Sequence, residues 1–268
     1  MHSYILYLVV VFIYLAVAFD FWRAAKPTTE QNLKLHSSMI ALGLILHGGL
    51  LYDDVISHGL NLGFYNALSL IFWLTLLIYW LANIKHHLQT LQAFVLPPAA
   101  LFAVLPAFFV ENHYLPETVS TLFAIHIVIA ILAYSLFTFA ALHALLMLIA
   151  ERNLHQKTGL IKLPSFPPLM VMESLLFKVI GLGFVLLTFT LISGMLFSEE
   201  IFGEPLQFSH KVIFSIASWL IYGSLLLGRF AYGWRGRKAI RWVLVGFVLL
   251  LLAYIGSKFV LEIVLHRP

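Results

Sequence analysis

Eight apolar runs follow one another along the chain with short polar breaks between them, each near the roughly 20 residues that cross a bilayer core as a helix. They cover residues 3–22, 35–52, 63–83, 91–110, 119–149, 172–197, 209–229 and 239–264. Only helices or closed barrels satisfy their backbone in hydrocarbon. The pattern therefore predicts an all-α fold: a polytopic bundle of eight transmembrane helices, forming a single membrane domain over 1–268. The first run has no basic segment before it and no small-residue cleavage site after it, so it reads as a retained span and not a removed signal peptide. No soluble domain, clear repeat or low-complexity tract interrupts the series.

The charges add an orientation. Arg23, Lys26, Lys34, Lys85, Arg152, Lys157, Lys162, Arg229, Arg235, Arg237, Lys238 and Arg241, twelve of the sixteen basic residues, lie in the breaks that follow odd-numbered runs. The opposite breaks carry Asp53 and Asp54, Glu111 and Glu117, and Glu199, Glu200 and Glu204. Basic residues stay on the cytoplasmic side of short loops, so both termini are expected on the outer side of the membrane. Composition agrees: 62% of residues are hydrophobic, 10% are charged, and the mean hydropathy is +0.96. The formal charge of +4 and the pI near 9.2 follow from this sidedness, and no nucleic-acid partner is needed to account for them.

The chain has no cysteine, which excludes thiolate metal sites, disulfides and CxxC exchange. It carries no nucleophile elbow, Walker loop or HExxH run, so hydrolase and nucleotide chemistry are not expected. What remains is twelve histidines. His47 lies six residues before Asp53, about 9 Å inside the outer boundary of its span, and His126 lies nine residues after Glu117, about 13 Å inside the same boundary. Intramembrane histidines are functional candidates, and two neutral imidazoles at matched depth suit axial ligation of one haem iron. The alternative is that each bonds a neighbouring helix and ligates nothing. Gly48 and Gly49, with Ala130 and Ala133, are small enough to let helices approach closely or to shape a pocket. A second, inner haem is not expected. His36 and His47 are about 17 Å apart along their helix, whereas His126 and His143 are about 26 Å apart. The two pairs cannot both be in register.

His210, beside Lys211, and His266 are expected at the same outer mouth, where a histidine is ordinarily a wet interfacial side chain. The same reading holds for His58 and His113 in outer loops and for His86 and His87 beside Lys85. Lys258 and Glu262, one turn apart, are placed to pair at the interface or to hold a haem propionate. The proline-bearing segment 151–171 reads as a connector or a docking loop, with Glu173 suited to the start of the next helix. YGWRGRK reads as an interfacial anchor, and Lys178 snorkels to the cytoplasmic side.

The runs HIVIAILAYSLFTFAALHALLMLIAERNL, FPPLMVMESLLF, GFVLLTFTLISGMLF and HKVIFSIASWLIYGSLLLGRFAYGWRGRKAIRWVLVGFVLLLLAYIGSKFVLE together resemble the cytochrome c assembly family. The nearest branch is the eight-span inner-membrane, YpjD-like one, close to HemX. The resemblance covers about 119–265, with 1–118 as four further spans matching more loosely. It implies haem b bound non-covalently on the outer side, in cytochrome c assembly or haem homeostasis, with another inner-membrane or cytochrome-maturation protein as partner besides lipid. It implies that His126 is an outward ligand, that His266 is nearest in position to the second, and that His47 matches a histidine late in the second span of the closer branch. Two departures stand out: SEEIFGEPLQFSH contains no tryptophan where lyase and exporter members carry a tryptophan-rich platform, and Gly228 stands where the lyase branch has an intramembrane histidine. The expectation is a haem-binding assembly or regulatory subunit without lyase activity. The alternative from the residues is a transporter, or a subunit of one, with the buried histidines relaying protons and Pro97, Pro98 and Pro106 breaking the fourth span.

Overall fold

The computed structural model describes residues 2–23, 30–57, 59–86, 88–109, 120–155, 167–202 and 210–256. These are helical almost throughout: α1 (His2–Arg23), α2 (Glu30–Leu51), α3 (Phe64–His86), α4 (Gln89–Phe108), α5 (Thr121–His155), α6 (Leu169–Phe202), α7 (His210–Tyr232) and α8 (Gly236–Leu251). Single π turns extend α2 over Tyr52–Ile56 and α8 over Leu252–Gly256. Each helix coincides with one of the eight apolar runs. Six of them, all but α4 and α8, are long and apolar enough to cross a membrane. α4 runs unbroken through Pro97, Pro98 and Pro106, so the break suggested by those prolines is not seen.

The chain divides into two compact units. One comprises Met1–Leu115 with Ile149–Met172, the other Pro116–Leu148 with Glu173–Pro268. In the first, α1 packs on α2 and α4, and α3 packs on the same two helices. Its core holds Val10, Tyr14, Ile40, Leu76, Tyr79, Leu91, Val95 and Leu96. Stacked rings join α3 to α4, Phe72 on Phe102 with centroids 4.2 Å apart and Tyr65 on Phe109 at 4.5 Å.

Polar side chains fix the register of the antiparallel α1–α2 pair. The Tyr7 hydroxyl donates to Asp54 near one end, Tyr14 meets His47 at the middle, and Asp20 meets His36 at 2.7 Å near the other. Trp73 Nε1 donates to the Leu44 carbonyl at 2.8 Å and Trp80 Nε1 to the Ser37 carbonyl at 3.1 Å, tying α3 to α2.

The second unit is held by α7 against α8 and by aromatic layers. Phe137 of α5 stacks on Tyr222 of α7 at 4.0 Å, and Phe184 of α6 stacks on Trp219 at 5.4 Å. Trp219 Nε1 donates to Thr188 Oγ1 at 2.8 Å. Ser218 Oγ donates to the Gly246 carbonyl at 2.8 Å, and the Tyr222 hydroxyl to that of Val243 at 3.3 Å. That close approach needs a glycine: a Cβ at Gly246 would sit 2.9 Å from the Tyr222 ring. Alanine is otherwise the better helix former by about 1 kcal/mol. Gly246→Ala should therefore lower the thermal midpoint of the detergent-purified protein, because the fully buried Tyr222 must shift. Gly49→Ala, with nothing within 4 Å, should leave it unchanged or raise it.

Candidate functional site

The two histidines singled out by depth lie in different units and in different chemical states. His47 is only 1% exposed. Its Nε2 is 2.9 Å from Ser69 Oγ of α3, and its Nδ1 is 3.4 Å from the Tyr14 hydroxyl of α1. Both ring nitrogens are thus engaged by neighbouring helices. Gly48, read as a small contact residue, faces Trp73, while Gly49 contacts nothing within 4 Å. For His47 to bind a metal, the Ser69 or Tyr14 hydrogen bond would have to be given up.

His126, on the first turns of α5, is half-buried. Its Nδ1 is 2.7 Å from Ser193 Oγ of α6. That serine lies 2.6 Å from the Phe189 carbonyl of its own helix. A carbonyl only accepts, so at this separation the single hydroxyl proton belongs to the Ser193–Phe189 contact. Ser193 Oγ is left to accept from His126, which requires a proton on Nδ1 and a lone pair on Nε2. An imidazole whose one N–H is anchored by an acceptor, with its other nitrogen basic, is the tautomer that metal ligation uses. Gly194, the next residue, lies against the imidazole edge, where a Cβ would be 3.4 Å from its Cε1. Phe123 stacks on the ring from the turn before, with centroids 5.9 Å apart.

The same end of this unit carries the start of α7. His210 is exposed there, and Lys211 lies within electrostatic range of His126. The Lys211 ammonium sits over the Tyr254 ring, 5.9 Å from its centroid, and Tyr254 packs on Tyr134 of α5 at 5.2 Å. Four helices thus converge on a half-buried imidazole, a cation and aromatic walls, a set that fits a flat anionic metal complex. The remaining expected residues, His266 and Lys258, fall outside the described residues, as do His58, His87, His113, Glu262 and 156–166. Among the described residues, no three His, Cys, Asp or Glu side chains form a cluster able to hold a bare metal ion.

Sequence reasoning did not identify Ser193, Tyr254, Tyr14 or Ser69, because a hydroxyl in an apolar run carries no signal until its helix is packed. Glu173 shows the same limit. Expected to favour a helix start, it pairs with Arg229 at 2.7 Å and Arg235 at 3.5 Å, and accepts from the Gly236 amide at 3.4 Å. It thereby pins the α7–α8 turn to α6. Gly228 beside it has no room for a side chain, since a Cβ would meet the Trp234 ring at 2.4 Å.

Comparison with known proteins bears on this geometry. A family model described as cytochrome C assembly protein matches residues 33–265. The inner membrane protein YpjD of Escherichia coli (strain K12) is 30% identical over 242 residues, 87% of this chain and 88% of that protein. The cytochrome c biogenesis protein CcsA of Prochlorococcus marinus is 24% identical over 287 residues, covering 96% and 90% of the two chains.

The tautomer is testable without any ligand. Nitrogen-15 spectra of the imidazoles, assigned by loss of the His126 signal in His126→Gln, should show a protonated Nδ1 in the wild type. Ser193→Ala should shift that signal toward the Nε2-protonated form usual for a free imidazole.

Proposed function

The chain belongs to the cytochrome c assembly family, as a YpjD-like multi-pass inner membrane protein, and from that premise we propose that it binds haem b non-covalently in cytochrome c assembly or haem supply. The observation that carries this reading is the Ser193 hydroxyl set between His126 Nδ1 and the Phe189 carbonyl. Haem, when bound, supplies an iron whose axial positions take neutral imidazole nitrogens. His126 would offer Nε2 to it, Ser193 holds the ring in place, and Lys211 is the cation for a propionate. His210 and His266, on the outward side in the eight-span topology with both termini periplasmic, are the candidates for the second axial position, and Lys258 for the second propionate. His47 would serve as a ligand only by giving up its Ser69 and Tyr14 contacts.

The protein acts here as an assembly or regulatory subunit and not as a lyase. The stretch from Ser198 to His210 has no tryptophan to stack on haem. The place of the lyase branch's intramembrane histidine is taken by Gly228, closed off by Trp234. The transport reading is not favoured by the family, and a maturation protein of the same membrane is the expected partner.

Protein purified from haem-replete cells should show a Soret band and, after dithionite, the two visible bands of six-coordinate haem b. His126→Ala should abolish them, and Ser193→Ala should weaken haem binding about 10–100-fold, as loss of a ligand-orienting partner does. Colourless wild-type protein, or an unchanged spectrum in His126→Ala, refutes the proposal. His47→Ala decides that residue's role: loss of the spectrum makes it a ligand, and an intact spectrum with a lower thermal midpoint makes it a packing residue.

A further inference from the structure

The opposite resource of the molecule lies in the first unit, where the end of α1, the start of α2, the end of α3 and the start of α4 come together. Three buried polar atoms there have no hydrogen-bond partner among the described residues: His36 Nδ1, Asn83 Oδ1 and Gln92 Nε2. Their residues are 5%, 8% and 1% exposed. Buried polar groups are ordinarily satisfied, and each exception asks for an explanation.

Ring and hydrogen-bond contacts put the three at neighbouring levels. Ser37, next to His36, receives the Trp80 indole N–H, and Asn83 lies three residues further along α3, about one turn away. Phe21 of α1 packs on the His36 ring at 4.5 Å, and its neighbour Trp22 packs on Phe94 of α4 at 6.1 Å, two residues from Gln92. The three atoms are chemically complementary. Gln92 Nε2 donates and Asn83 Oδ1 accepts. His36 Nε2 is 2.7 Å from the Asp20 carboxylate, which only accepts, so Nε2 carries the proton and Nδ1 is left as an acceptor when the ring is neutral. One hydroxyl group meets two of the three, its oxygen accepting from Gln92 while its proton goes to Asn83 or His36, and a second O–H serves the remaining acceptor.

We propose that this end of the first unit binds the head group of a hydroquinone that reaches it from the membrane. Two ring hydroxyls serve both acceptors, His36 and Asn83, while a ring oxygen accepts from Gln92. Phe21, Trp22 and Phe94 supply aromatic surface for the ring. The outward-facing neighbours Leu35, Leu81 and Ile84 are apolar and 51–69% exposed, which suits entry from lipid. Asp20, with a side chain 59% exposed, gives the imidazole a connection to solvent. A water molecule offers the same hydroxyl chemistry, and the experiment separates the two sources.

Duroquinol, a soluble hydroquinone, is titrated into the detergent-purified full chain, with tryptophan quenching and thermal midpoint as readouts. Saturable quenching and a raised midpoint are expected. Gln92→Met and His36→Phe should weaken binding about tenfold each, the effect of one lost hydrogen bond in a buried site. Gln92→Met removes an amide whose Nε2 has no partner among the described residues, so it should lower the midpoint of the ligand-free protein little. It therefore stays folded as a test even where His36→Phe does not. Absence of saturable binding to the wild type, or equal binding by Gln92→Met, overturns the proposal and leaves the atoms to water. No residue is shared with the haem site, so neither result bears on the haem reading.

Discussion

Hydrocarbon offers no hydrogen bonds, and the arrangement of this molecule follows from that constraint. Among the described residues, buried polar side chains within the apolar runs find partners on another helix or on their own backbone, save single atoms of His36, Asn83 and Gln92. The partners found are specific: Tyr7 with Asp54, Tyr14 and Ser69 with His47, Asp20 with His36, Ser193 with His126, Trp219 with Thr188. Interhelical hydrogen bonds in membranes contribute on average only about 0.6 kcal/mol each. Their larger effect is on register, because sliding α1 by one turn along α2 would strand several buried groups at once. Depth of packing comes instead from the ring layers around Phe137, Tyr222 and Trp219 and from glycines such as Gly246 that admit them.

Within that economy, histidines divide by what holds their two nitrogens. His47 is held by different helices through both, and its immediate effect is to join α1, α2 and α3. His126 is oriented by Ser193 through one nitrogen, in a half-exposed setting beside a cation. His36 is oriented by a carboxylate through one nitrogen and is buried at the other. The same residue type thus acts as a structural tie, a candidate ligand and an acceptor, and only the neighbours distinguish these roles.

The end of the second unit formed by the α7–α8 turn is closed by packing and ion pairs. Glu173 draws Arg229 and Arg235 together, the Arg229 guanidinium lies over Phe177 at 4.6 Å, and Trp234 fills the space beside Gly228. A glycine at this place is therefore part of a packed corner. Replacing it by histidine would require the indole to leave.

The helical character of the apolar runs and the family were legible in the chain, because hydrophobic runs and their breaks are local. The early start of α8 at Gly236 and the π turns after Leu51 and Leu251 were not, since they are settled by local backbone geometry at helix ends. His126 was singled out by its depth and by the family resemblance. Which nitrogen it presents was decided by Ser193, 67 residues away, and that distance in sequence is why no pattern along one helix reveals it. Counting residues gave near-equal depths for His47 and His126 only as an expectation. The closed state of His47 came from Tyr14 and Ser69, on two other helices. Depth is a property of a single helix and can be read from its sequence, but a side chain's chemical state is set by whatever lies across the gap, and that is determined only once the helices pack.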